Sequence, residues 1–283
     1  MPNIIDSSLF CVKRKKFNSV ENEAIAFSEK YSSGIIQDDI FALLTVYSLQ
    51  NNFPLEIIRF PIDDEKLCGF TSTRQGTFFV YINSFLPLEK QIFAAAHELY
   101  HIIKHFEKED DEDFNFSSLL TSRQLDDDSQ NNEEDREANA FAALLLAPSR
   151  DIKSQLDLFN LNSSDSDSDL LKSIVRIMDV FAIPYKTAVM RLLEIDFFDV
   201  SAARKFLSYS DRDPHTDVLK LINLSGIAKR WQEKSCEVIL GSLEQLVDEN
   251  KKIEILSDER IEQDKSEINS LKKEFLNIKS GGA

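Results

Sequence analysis

The chain contains His97-Glu98-Leu99-Tyr100-His101, an H-E-x-x-H sequence. On a helix, residues four apart lie one turn apart on one face, so the two imidazoles can grip a single ion. Zinc suits them, because it accepts imidazole nitrogens at ~2.0–2.1 Å in a tetrahedral site and leaves one position for water when the site is hydrolytic. Glu98 follows the first histidine directly and can reach that water as general base, while the zinc charge brings the water's pKa toward neutrality. A five-residue match also arises by chance on a solvated helix surface. Against this, three of the four histidines fall between His97 and His105, and Ile92-Phe93-Ala94-Ala95-Ala96 gives the apolar, small-residue approach of a buried helix.

Two imidazoles leave the site open, and a third ligand is expected from a carboxylate on another helix. The segment from Glu133 to Ala142 offers Glu134, Asp135 and Glu137. Asp135 is favoured, since Asn139 stands one turn beyond it and its amide can hold a zinc-binding imidazole from behind. Glu134 and Glu137 remain alternatives, and aspartate, one methylene shorter, requires a closer backbone. His105 lies ~12 Å of helix axis from His97, too far to share the ion. His215, beside Asp213-Pro214, has no assigned role.

The elements that must position these groups follow from periodicity. Ile25, Ile36, Ile40, Leu43, Leu44 and Tyr47 recur at helical spacing and stop at Asn51-Asn52-Phe53-Pro54. Residues 55–60, 67–73 and 77–83 are short, rich in β-formers and separated by turn residues, which predicts a three-stranded antiparallel sheet. Pro87 opens a helix that carries 91–106. From Glu107 to Glu137, thirteen acidic residues face only Lys108, Arg123 and Arg136, so most of this stretch is expected to be loop. Helix returns at 136–146. Two helices broken at Ile183-Pro184 span 170–195, and charged helices follow. The expected fold is therefore mostly helical α+β. It is divided into a tail (1–20), a metallopeptidase domain (21–160), a helix-turn-helix-like segment (161–195) and a helical C-terminal extension (196–283), whose helices could support a homo-oligomer.

Composition narrows the class. A net charge of −16 excludes a broad basic surface for nucleic acid, whose binding depends on neutralised phosphates. Cys11, Cys68 and Cys236 are odd in number and far apart, which suggests a reducing compartment and neither a disulfide framework nor a cysteine metal site. No apolar run reaches the ~20 residues of a membrane span, and the N-terminal stretch lacks a signal-peptide core. A cytoplasmic protein without a membrane partner is expected.

Taken together, His97 to His101 and Asp135-Arg136-Glu137-Ala138-Asn139-Ala140-Phe141-Ala142-Ala143-Leu144-Leu145-Leu146-Ala147-Pro148 resemble the gluzincin-like ImmA/IrrE metallopeptidases. That family pairs H-E-x-x-H with an E-x-x-A-N-x-F-A-x-x-L-L-x-P helix. The lead-in at Tyr81-Ile82-Asn83 and the pair of helices at Ile177 to Leu192 match as well, so the resemblance covers roughly 21–195. Tyr100 stands where the family usually has glycine, which would narrow the cleft, and Asp135 stands where it usually has the ligand glutamate. The resemblance implies a Zn2+ endopeptidase with Glu98 as general base, His97, His101 and Asp135 as ligands, and Asn139 behind an imidazole. It also implies a substrate, a helix-turn-helix (XRE-type) repressor whose cleavage releases mobile-element or stress-response genes. A transcription regulator or antitoxin-like binding module with a non-catalytic zinc is the alternative. The 170–195 segment argues against it, because Lys172, Arg176, Lys186 and Arg191 against Asp179 and Glu194 make too sparse a basic footprint for autonomous DNA binding.

Overall fold

A computed structural model describes residues 4–64, 66–107, 117–121, 132–209, 217–226, 228–254 and 256–278. Three helices, α1 (Ile4–Ser7), α2 (Leu9–Val12) and α3 (Arg14–Tyr31), occupy the start of the chain, where the sequence suggests a tail. Phe17, Val20, Ala24 and Phe27 recur at helical spacing on the buried face of α3, and Ile5 and Leu9 enter the same core. Ile25 instead faces out, 46% exposed. Helix α4 (Ile40–Gln50) follows a short 3-10 turn, and two residues past its end Asn52 takes the left-handed conformation an asparagine tolerates.

Strands β1 (Leu55–Phe60), β2 (Leu67–Arg74) and β3 (Thr77–Asn83) appear where the pattern predicts them, but the sheet is mixed and five-stranded rather than three-stranded and antiparallel. β2 and β3 form a hairpin through Gln75 and Gly76, both at positive φ, as a two-residue hairpin turn of the primed type demands. β1 skips one position and runs parallel to β3 on its other side. Asn83 secures that crossing: its side chain accepts from the Ile62 N–H and donates to the Asp64 and Leu67 carbonyls. The two added strands lie in unpromising sequence. β4 (Ser117–Thr121) emerges from the acidic stretch read as loop and pairs with β2, and β5 (Ile239–Leu240) joins β1 from the far C-terminal part. The order is β4-β2-β3-β1-β5.

Helix α5 (Leu88–Glu107) packs on this sheet and against α6 (Glu133–Leu146). Gly69 faces α5, and its lack of a Cβ spares the neighbouring strand: a Cβ there would sit 2.8 Å from the Tyr81 carbonyl oxygen and 3.1 Å from Ile82 Cδ1 of β3, and 3.7 Å from the Ala94 methyl of α5. Gly69→Ala is expected to lower stability by about 1–3 kcal/mol as the core overpacks. Urea denaturation measures it, and an unchanged midpoint would contradict this packing.

Past Pro148 come α7 (Ser149–Leu158), α8 (Asp167–Phe181) and α9 (Tyr185–Glu194). The α8–α9 turn has Ala182 in the left-handed conformation, and Leu171, Ile174, Phe181 and Leu192 bury into the main core. Arg191 is fully buried, which removes one of the four basic groups that a DNA-facing surface would use. Helices α10 (Val200–Leu207), α11 (Asp217–Leu224), α12 (Ala228–Gln232), α13 (Leu243–Lys252) and α14 (Asp258–Ile278) complete the chain. This part is stitched to the sheet. Cys236 N–H donates to the Ser84 carbonyl at 2.8 Å, and the Ser242 N–H and hydroxyl both donate to the Glu56 carboxylate. Phe275 of α14 stacks on Phe60, centroids 4.1 Å apart. No helix among the described residues is long and apolar enough to cross a membrane.

Candidate metal centre

Thirteen residues of α5 from Glu89 to Ile102 are buried, including His97, Glu98 and His101. Burying such polar groups is costly unless they are satisfied, and α6 supplies partners. Helix α6 starts at Asn132, whose side chain accepts from the Asp135 N–H at 2.8 Å, a side-chain cap of the kind that fixes a helix origin. Ala138 and Ala142 on α6 and Ala94 to Ala96 on α5 are all fully buried. Small side chains let helix axes approach, which provides the closeness that a ligand as short as Asp135 needs.

His97 Nδ1 donates to Asn139 Oδ1 at 2.9 Å, and His101 Nδ1 donates to Glu134 Oε1 at 3.0 Å. Both rings are thereby fixed from behind with Nε2 facing inward, as metal-binding imidazoles are held by outer partners. The two Nε2 atoms are 3.0 Å apart, and Asp135 Oδ1 is 3.5 Å from that of His101. Ligands ~2.0–2.1 Å from a tetrahedral ion stand ~3.3 Å from each other, so these separations match a common ion. One donor atom each of His97, His101 and Asp135 lies within 4.8 Å of the others. Two inward lone pairs at this distance repel unless something positive lies between them. Burial alone would lower the His101 pKa, but hydrogen bonds to Asp135 and Glu134 outweigh it and raise the pKa to about 9. Burial, with the adjacent His101, holds His97 well below the ordinary histidine range.

Glu98 lies beside this cluster, fully buried, and burial raises its pKa against the pull of His101 and of the Ser118 and Thr71 hydroxyls. Its Oε2 accepts from Thr71 Oγ1 at 2.8 Å and from Ser118 Oγ. Its Oε1 has no hydrogen-bond partner among the described residues. A buried carboxylate oxygen left without a donor fits a site that receives a water or a substrate N–H.

The structure thus groups His97, His101 and Asp135, places Asn139 behind His97, and sets Glu98 next to them. Glu134 belongs to the outer shell of His101. Glu137 turns elsewhere: it accepts from the Tyr100 hydroxyl at 2.5 Å and pairs with Lys16 of α3 at 3.1 Å. Tyr100 is itself fully buried, and its ring packs on Phe141. His105 packs against Phe78 and Phe106, while His215 lies outside the described residues. Thr71 and Ser118 were not foreseen. The alternation in β2 could have pointed to Thr71, but Ser118 sits in a run whose acidic neighbours mask it.

Two helix-borne imidazoles and a carboxylate form a group that could hold a metal ion, with a buried acid alongside. The IrrE N-terminal-like domain of peptidase family M78 matches residues 50–193, about half of the chain, and the chain belongs to that family. Comparison with curated proteins yields no match.

Proposed function

We propose that this protein is a zinc-dependent endopeptidase of the cytoplasm that cuts a helix-turn-helix repressor of the XRE type at one site. The observation that carries the reading is the convergence of His97, His101 and Asp135 beside a Glu98 whose Oε1 has no hydrogen-bond partner among the described residues. Zinc, when bound, supplies the positive charge that acidifies water and polarises a peptide carbonyl. His97, His101 and Asp135 would hold it, and Asn139 and Glu134 keep the two Nε2 atoms turned inward. Glu98 Oε1 takes the proton from the attacking water and delivers it to the leaving amide nitrogen. The choice of substrate is supported by family membership and by charge. A chain of net −16 complements a DNA-binding, basic partner and disfavours binding the DNA itself. The cytoplasmic setting is supported by three free cysteines.

The test is to incubate the zinc-loaded protein with a purified helix-turn-helix repressor of the XRE type, next to a Glu98→Gln control. Discrete cleavage by the wild type alone is the expected result. Zinc binding and repressor binding without cleavage by either protein would replace the peptidase with a binding module.

Metal content separates the three acids of α6. After dialysis, Asp135→Ala is expected to retain little zinc and Glu137→Ala a full equivalent. Glu134→Ala should keep zinc with affinity lowered ~10–100-fold, as loss of an outer partner does. Full zinc in Asp135→Ala would remove it from the ligand set.

A further inference from the structure

We infer that Thr71 and Ser118 are positioning residues that hold one oxygen of Glu98 so that the other is presented, undonated, to the reaction. The inference rests on the peptidase reading of the site.

The geometry originates in the sheet. Thr71 of β2 and Ser118 of β4 are directly opposite in the antiparallel pair, so their side chains share a face. That face looks at α5, because a Cβ on Gly69, two residues before Thr71 and so on the same face, would point at the Ala94 methyl of α5, 3.7 Å away. Two strand residues advance ~6.6 Å, and four helix residues ~6.0 Å. The step from Gly69 to Thr71 therefore keeps pace with the step from Ala94 to Glu98, and the carboxylate arrives beside the two hydroxyls.

The hydrogen bonds then have one direction. The Thr71 N–H donates to Ser118 Oγ at 3.1 Å, which occupies a lone pair of that hydroxyl and turns its proton outward. Ser118 Oγ and Thr71 Oγ1 both donate to Glu98 Oε2. Neither reaches Oε1, which is buried without a donor among the described residues. Two donors on one oxygen fix the carboxylate plane, since rotation about the last side-chain bond would break both. The free oxygen keeps its full capacity to accept a proton. A buried polar atom left unsatisfied costs stability, and here that cost falls on the atom that must do chemistry.

The experiment has two arms. In the first, Thr71→Val with Ser118→Ala removes both hydroxyls, while Thr71→Ser with Ser118→Thr keeps them. With the repressor as substrate, the hydroxyl-free protein is expected to lose kcat by about ten- to a hundredfold, at unchanged KM and with one zinc per chain. The hydroxyl-bearing pair should keep kcat within a few-fold of wild type. A loss carried by KM or by zinc affinity, or equal losses in both pairs, would overturn the inference. The second arm needs no activity. In a double-mutant cycle on the unfolding equilibrium of the metal-free protein, hydroxyl removal should cost about tenfold more with Glu98 present than with Glu98→Ala, as hydrogen bonds to a charged group do. Absence of coupling disproves the contact whether or not any protein is cut. Coupling together with a wild type that cuts nothing disproves the peptidase reading instead, and with it the catalytic purpose of the pair.

Discussion

Glu98→Gln is expected to lower the rate of the proposed repressor cleavage by at least about a hundredfold, the usual scale for loss of a general acid–base group. It should leave one zinc per chain and leave repressor affinity intact. Glutamine has nearly the shape of glutamate, and its carbonyl can still accept from Thr71 and Ser118, which both donate to Oε2 in the wild type. The ligands His97, His101 and Asp135 are untouched. What disappears is a basic oxygen where Oε1 stands, so the attacking water keeps its proton. The metal-free variant should also unfold at a temperature no lower than wild type, because a neutral amide is cheaper to bury than a carboxylate with one oxygen unpartnered. Cleavage by both proteins at similar rates would remove Glu98 from the mechanism. A loss of zinc or a fall in melting temperature would mean that the substitution acts by disturbing the fold.

Much of this site was legible because its parts are local. An H-E-x-x-H on a helix needs only the helical repeat to bring His97 and His101 together, and the same repeat pairs Asp135 with Asn139 on α6. The sequence does not reveal which member of the acidic run Glu133 to Glu137 faces the metal beyond that spacing. In the structure the division follows from neighbours on other elements. Glu134 meets His101, and Glu137 is drawn off by Tyr100 and Lys16. Tyr100 shows the same limit, because the partner of its hydroxyl, Glu137, lies on another helix and no local spacing reveals it.

The sheet was harder to read, because strand order is a long-range property. The β1 pattern is equally compatible with a meander. What sets the parallel pairing is the crossing held by Asn83, 16 to 21 residues from the backbone groups it bonds. β5 contributes two residues, too few for any periodicity. Ser118 was missed for a related reason, since five strand residues within an acidic stretch carry no alternation that composition can reveal. The helices fared better where a full apolar stripe was present. The start of the chain was misread as a tail because the basic run Lys13 to Lys16 obscures a stripe that begins at Phe17. Two of those lysines have specific partners on α6, Glu133 for Lys13 and Glu137 for Lys16.

Arg191→Met is expected to destabilise the protein by about 3–5 kcal/mol, the cost of removing one partner of a buried charge pair. Arg191 is fully buried on α9 and donates from Nε to the Ala147 carbonyl at 3.0 Å, from Nη2 to Ser149 Oγ at 2.8 Å, and from Nη1 to the Glu194 carboxylate. It therefore satisfies the end of α6, the helix that bears Asp135 and Asn139, and anchors the turn into α7. Methionine preserves the length and apolar stem but leaves that carbonyl and a nearly buried glutamate without a donor. Burial already pushes the Glu194 pKa up, opposed by Arg191, and the variant loses the opposition. A carboxyl whose folded pKa exceeds its unfolded value contributes most stability below the unfolded value and loses it as pH rises through the folded one. The deficit of Arg191→Met should accordingly shrink as pH is lowered from 7 and Glu194 takes up its proton. Adding Glu194→Gln should recover part of the loss at neutral pH and flatten its pH dependence. Urea titrations of wild type, the single variant and the double variant at several pH values measure all three effects. A deficit below about 1 kcal/mol, or a double variant no more stable than the single, would show that Arg191 does not clamp α6.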